Sequence, residues 1–245
     1  MQLLRINNIK KTYSSKRMVS TVALNGVSFS VQEKEMIAIM GSSGSGKTTL
    51  INILTGLLDP DDGEIIIDDK NLLKMSKDEM SLLRRKQIGI VFQNYNLLDS
   101  LTVRENIEVP LVLDHYDGDK EEKVQKVATL MGIEQQLDRY PYEISGGQQQ
   151  RVGICRAIIN NASVIFADEP TGNLDSKSSK KVMKYFQMVC KDMGTSLLMV
   201  THDPVTASYC DRVLFIKDGT IEKQIKKEKN NNWYEKIIET QRGIL

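Results

Sequence analysis

The chain has 245 residues, 40% of them hydrophobic, which suits one large domain or a core carrying a smaller subdomain and excludes a disordered chain. Lys and Arg number 33 against 32 Asp and Glu, and the net charge of +1 excludes a global field that recruits nucleic acid or anionic lipid. Three widely spaced cysteines, Cys155, Cys190 and Cys210, form no CxxC or Cys/His metal spacing, so they are expected as buried free thiols of a reducing compartment.

The opening MQLLRINNIKK lacks the apolar run of a signal peptide, and the longest apolar runs, such as MIAIM and SLLMV, are too short to span a bilayer. The chain is expected to be intracellular and soluble by itself. Strands are predicted at LLRINNI (3–9), VALNGVSFSV (22–31) and EMIAIM (35–40). The last runs directly into GSSGSGKTTLINILTGLL (41–58), where the apolar period becomes helical. A further pair of strands is expected at GEIIID (63–68) and IGIVFQ (88–93). From about residue 101 to 136 the sequence turns helical, in TVRENIEVPLVL and KEEKVQKVATLMGI, and Gly132 punctuates the second helix.

SVIFADEP (163–170) is a buried run of the kind found in parallel sheets. It alternates with helical SSKKVMKYFQMVCKDMG, strand SLLMVTHD, a short helical VTASYCD and strand RVLFIKDG. This alternation predicts an α/β fold: a core with a mostly parallel sheet over 1–94 and 150–221, including an N-terminal antiparallel β subdomain. Residues 95–149 would form an inserted helical subdomain. Residues 222–245 would be a tail, with a solvated KKEKNNN run and a short amphipathic WYEKIIETQ. That tail helix is expected to pack on its own core or pair two copies, its apolar face being too short for a membrane anchor.

Gly41, Ser42, Ser43, Gly44, Ser45, Gly46, Lys47 and Thr48 fit GxxxxGK[ST], between a buried strand and a helix, with Thr49 next in line. Backbone N–H groups of such a loop converge on phosphate oxygens, and the helix N-terminus adds its partial positive charge. Lys47 would neutralise the β/γ-phosphates and Thr48 would ligate Mg²⁺. In VIFADEP, Asp168 at the strand end can reach the metal and Glu169 an attacking water. A third stretch, ISGGQQQR (144–151), holds two adjacent glycines at a helix start, where each costs about 0.5–1 kcal/mol against alanine.

With these elements in this order, residues 1–221 resemble the nucleotide-binding subunit of an ATP-binding cassette transporter, a P-loop ATPase. The resemblance implies that Tyr13 stacks on adenine and that Gln93 senses Mg²⁺ and water. Ser145, Gly146, Gly147 and Gln148 match the family's signature motif, followed by Arg151, with Ile144 where leucine is usual. Asn173, Leu174 and Asp175 match the loop after the catalytic glutamate, and His202 matches the histidine that contacts the γ-phosphate. His115, the only other histidine, is left as surface. In this family two copies pack head to tail, so that the signature of one covers ATP held by the other. A side chain at Gly146 or Gly147 would then hold the backbone away from the γ-phosphate.

The stretches RRKQIGIVFQNYNLLDSLTVRENIEVPL and DEPTGNLDS are similar to the group serving macrolide export, lipoprotein release and antimicrobial-peptide resistance. Within it, QNYNLLDSLTVREN and SYCDRVLFIKDG are most similar to the bacitracin-type ATPases. The implied partners are a second copy and an integral-membrane permease, often with a sensor histidine kinase, at the cytoplasmic face of the plasma membrane. Two other readings are a nucleic-acid-associated cassette, which the neutral charge disfavours, and a regulatory cassette of the cell-division type.

Overall fold

The computed structural model describes residues 1–15, 18–228 and 232–244; Lys229, Asn230 and Asn231 of the charged run lie outside the described residues. The chain begins with β1 (Gln2–Ser15), β2 (Met18–Gln32) and β3 (Met36–Met40), then α1 (Lys47–Leu54), β4 (Asp62–Ile67), β5 (Lys70–Asn71), α2 (Lys77–Gln87) and β6 (Ile88–Val91). Three helices follow: α3 (Val103–Leu113), α4 (Lys120–Met131) and α5 (Gly146–Ile158). The chain then alternates through β7 (Val164–Asp168), α6 (Ser176–Met193), β8 (Ser196–Val200), α7 (Pro204–Ala207), β9 (Arg212–Lys217), β10 (Thr220–Lys226) and α8 (Trp233–Ile244).

Two sheets result. One is antiparallel with order β2-β1-β4-β5; the other has order β10-β9-β3-β8-β7-β6, parallel except for β10. Every residue of β3 and β8 is buried, as expected for strands covered on both faces. Alternate side chains serve two cores. Ile37, Ile39, Phe166, Leu198 and Leu214 face α1 and the antiparallel sheet. Met36, Ala38, Ile165, Leu197 and Phe215 join the helices α3 to α6 and α8. The helical segment thus shares a core with the sheet: Val103, Ile107, Val124 and Met131 belong to that second cluster.

Local chemistry explains the helix starts. Thr102 and Glu105 form a capping box on α3, and Ser76 and Glu79 form another on α2. Gly132 ends α4 in a left-handed conformation, as the sequence predicts.

Three expectations are corrected, and one helix was not foreseen. GEIIID and IGIVFQ do not pair: β4 pairs with β1, while β6 pairs with β7 in the other sheet. The helix α2 was missed: only Leu83 of its eleven residues is buried and most of the rest are polar, and the Ser76–Glu79 capping pair was the available signal. A strand, β10, crosses the boundary placed at 221, so the tail begins inside the sheet. A boundary at 149 likewise falls within α5. The open question of α8 is answered by its contacts: Trp233 and Ile237 are buried in the chain's own core, and the Trp233 indole N–H donates to the Cys210 carbonyl at 3.1 Å. The three cysteines are buried and free, and burial raises their thiol pKa values, that of Cys190 to about 12.

At the junction of the two sheets, Arg212 donates to both oxygens of Glu35 at 2.9 Å and also reaches the Ser30 carbonyl. The side chains are 7% and 14% exposed. Glu35→Ala should leave a buried guanidinium short of its carboxylate and destabilise the fold by about 3 kcal/mol. A lowered urea midpoint with unchanged m-value is the expected measurement.

Candidate functional site

Strand order decides which loops meet. β3, β8, β7 and β6 are consecutive neighbours and parallel, so the segments leaving their C-terminal ends emerge along one sheet edge. Those segments carry the glycine-rich loop 41–46 after β3, His202 after β8, Asp168 and Glu169 at the end of β7, and Gln93 after β6.

The loop Gly41–Ser42–Ser43–Gly44–Ser45–Gly46 leads into α1, whose first residue is Lys47. Gly46 has φ 100°, and a Cβ there would sit 2.3 Å from the Ala23 carbonyl oxygen, so only glycine fits. Lys47 is 8% exposed, and its ammonium donates to the carbonyls of Gly41 at 3.0 Å and Ser42 at 2.7 Å. Burial lowers its pKa, while the nearby charges of Glu169 and Asp168 oppose that shift. Asp168 moves the opposite way: burial, then the Glu169 charge, raise its pKa against the pull of Lys47. A buried cation thus faces two carboxylates across the loop.

Glu169 has φ 44°, a left-handed backbone unusual outside glycine, and its N–H donates to the Val200 carbonyl at 3.0 Å. Its Oε1 lies 3.0 Å from His202 Nδ1. His202 is 67% exposed and Glu169 23%, so the pair stands at the rim with the carboxylate inward. A cleft of about 400 Å³ opens between Tyr13, Lys47, Thr48, Thr49, Glu169 and His202. Tyr13 lies at its mouth on β1, its hydroxyl 3.4 Å from Thr49 Oγ1.

Gln93 does not line this cleft. Its Nε2 donates to Asn173 Oδ1 at 3.4 Å, and the Asn173 amide returns a bond to the Gln93 carbonyl at 3.2 Å. Even so, a Cβ on Gly172 would meet both Gln93 Nε2 and Glu169 Oε2, so the two side chains flank one point. Ser145, Gly146, Gly147 and Gln148 also stand outside the cleft, at the start of α5. Gln148 Oε1 accepts from the Ser145 N–H at 2.8 Å and from its hydroxyl at 3.0 Å. The two glycines lie close to side chains of this chain: a Cβ on Gly146 would sit 2.6 Å from Tyr95 Oη, and one on Gly147 3.1 Å from Ser178 Oγ. Asp175 caps α6, accepting from the N–H groups of Lys177 and Ser178, and the Ser178 hydroxyl holds its carboxyl below the usual range.

The donor set suits a divalent cation completed by substrate. Among the described residues no group of three or more His, Cys, Asp and Glu side chains makes a cage. The Thr48 hydroxyl and Asp168 carboxylate are hard oxygen donors of the kind that hold Mg²⁺ together with phosphate oxygens and water. Sequence reasoning missed Thr21 and Ala23, which also line the cleft, with the Ala23 carbonyl against Gly46. It also missed Thr171, Asp203 and Thr206 behind Glu169 and His202. No motif spacing marks these positions; Asp203–Pro204, a helix-start pair, was the available signal.

A family model described as ABC transporter matches residues 24–172. The chain belongs to the ABC transporter family. It is similar to the ABC transporter ATP-binding protein YxdL of Bacillus subtilis, at 48% identity over 97% of this chain and 92% of that one. It is 44% identical to the bacitracin export ATP-binding protein BceA of Halalkalibacterium halodurans, over 100% of this chain and 97% of the relative. A solved dimeric structure of the ATP-binding cassette MJ0796, from Methanocaldococcus jannaschii and bound to ADP and Pi, superposes with a TM-score of 0.84. It is 36% identical and covers 93% of this chain and 100% of its own. As an ABC ATPase the chain binds ATP and hydrolyses it to drive transport. Among the described residues no helix is long and apolar enough to cross a membrane.

Gly46→Ala tests the loop. Left-handed backbone and the Ala23 carbonyl together should destabilise the fold by about 1–3 kcal/mol. ATP affinity, measured by calorimetry on the folded fraction, should fall by more than tenfold.

Proposed function

We propose that the chain is the ATP-hydrolysing subunit of a transporter for antimicrobial peptides of the bacitracin class. It would work as a pair of copies on the cytoplasmic face of a membrane permease. The similarity to BceA over the whole chain supports the substrate class. The observation that carries the chemistry is the Glu169–His202 contact at 3.0 Å beside Lys47. Within this reading Glu169 orients and polarises the in-line water, Lys47 neutralises charge on the β/γ-phosphates, and His202 steadies the transferring phosphoryl group. Tyr13 offers a ring at the cleft mouth for the adenine. Mg²⁺ held by Thr48 and Asp168, with Gln93 at its edge, would offset the negative charge that develops on the phosphates.

The signature residues Ser145 to Gln148 stand apart from the chain's own cleft, and this supports their use in a second copy. The N–H groups opening α5 then serve as an anion site for the partner's triphosphate, with Asp175 nearby on the facing loop. ATP binding at both sites closes the pair, and hydrolysis releases it, a population shift driven by differential binding. A sensor histidine kinase acting through the permease belongs to the same reading.

The permease face is proposed at a groove of about 490 Å³ between α2, β6, α3 and α5. Leu113, Pro110 and Phe92 give it apolar walls; Arg84, Arg85 and Arg156 give it positive charge, and no carboxylate lines it. Leu113 is 56% exposed there, an apolar side chain facing solvent.

Two outcomes are expected. Glu169→Gln should lower kcat by at least roughly a hundredfold and trap a stable dimer in Mg-ATP, read by light scattering. Turnover at the original rate would reject Glu169 as the base. Leu113→Asp should leave ATP hydrolysis by the isolated chain unchanged and abolish co-purification of the chain with its permease from membranes.

A further inference from the structure

The loops carrying Glu169 and His202 are joined at two places. The exposed junction is the carboxylate–imidazole contact already described. The second is buried: the Thr171 and Thr206 hydroxyls lie 3.0 Å apart, and Thr206 is 1% exposed. Proton inventory fixes its direction. The Thr206 hydroxyl donates its one proton to Asp203 Oδ2 at 2.7 Å, where an ionised carboxylate can only accept. Thr206 therefore offers Thr171 a lone pair, and Thr171 is the donor.

Asp203 is itself held. It accepts from the N–H groups of Val205 and Thr206 at 3.0 Å, and its own N–H donates to Thr201 Oγ1 at 3.1 Å. Thr171 is two residues beyond Glu169, and Asp203 directly follows His202. The contacts close a ring running from Glu169 through Thr171, Thr206, Asp203 and His202 back to Glu169. One side of that ring is buried and fully bonded; the other is open to the cleft.

Glu169 needs such support. A left-handed φ of 44° at a non-glycine residue persists only where surrounding contacts over-determine it. Two backbone bonds contribute, from Glu169 N–H to Val200 and from Gly172 N–H to the Glu169 carbonyl, both at 3.0 Å. Neither of these reaches the His202 loop beyond β8. The Thr171–Thr206 bond does.

We propose that Thr171 and Thr206 are positioning residues for ATP hydrolysis, setting the separation of the Glu169 carboxylate from the His202 ring. The proposal rests on the roles given above to Glu169 and His202. Neither threonine lines the cleft, so nucleotide binding should be insensitive to them.

The test is steady-state ATP hydrolysis by the full chain. Thr206→Val removes the hydroxyl and nearly keeps the shape. It loses the bonds to Thr171 and to Asp203, and should lower kcat by roughly tenfold or more, with KM for ATP unchanged. Thr171→Val breaks only the bond between the two threonines and should lower kcat by a similar or smaller factor, and the double variant should be no worse than Thr206→Val, which already lacks that bond. Thr206→Ser should restore the rate. If Thr206→Val does not fold, Thr171→Val carries the measurement. Original turnover in the valine variants, multiplicative losses in the double variant, or a loss confined to KM would each overturn the proposal. With Glu169→Gln inactive, such a result removes the positioning role alone. An active Glu169→Gln removes the assigned base and this proposal with it.

Discussion

A parallel sheet buried on both faces fixes where chemistry is possible in this chain. Its strands cannot shift register by one residue without turning the Ile37 and Ile39 set into the core that now holds Met36, Ala38 and Met40. The pairing of Ile39 with Val200, and of Val200 with Asp168, therefore sets the relative heights of three strand ends. Everything that leaves those ends inherits that alignment. The glycine-rich loop, the Asp168–Glu169 pair and His202 are thereby brought to one edge of the sheet.

Burial at this edge has an electrostatic price. Burial pushes Lys47 and Asp168 toward their neutral forms; the charges of Glu169 and Asp168 oppose that shift at Lys47, and the Lys47 charge opposes it at Asp168. The left-handed backbone at Glu169 adds strain on top. The site is thus a place where the sheet's stability supports an arrangement that is unfavourable by itself, a common pattern for groups that must act on a charged substrate.

Much of this was legible in the sequence because its signals are local. The GxxxxGK[ST] run between a buried strand and a helix, and VIFADEP, specify loop and strand ends within a few residues. The two-versus-3.6 change of period located α1, α3, α4 and α6. What escaped depends on distance in sequence. GEIIID and IGIVFQ look alike as strands, and nothing local assigns them to different sheets. β10, with only Ile225 fully buried, looks like solvated charge. Thr171 and Thr206 are 35 residues apart and meet only because β7 and β8 are neighbours. The signature glycines were explained by a partner's nucleotide, and within one chain they also lie close to the side-chain ends of Tyr95 and Ser178.

Arg156 carries one more implication. From the last turn of α5 its guanidinium donates to the carbonyls of Tyr95 and Asn96 at 3.0 Å and 2.6 Å. Both residues have positive φ, 61° and 49°, so the bend they form resists further distortion. Helix and bend are thereby welded into a single lever, with Asn96 on the groove wall at one end and Gly146 at the other. A push at the groove would therefore have a rigid route to the amides at the far tip, with no loop having to melt on the way.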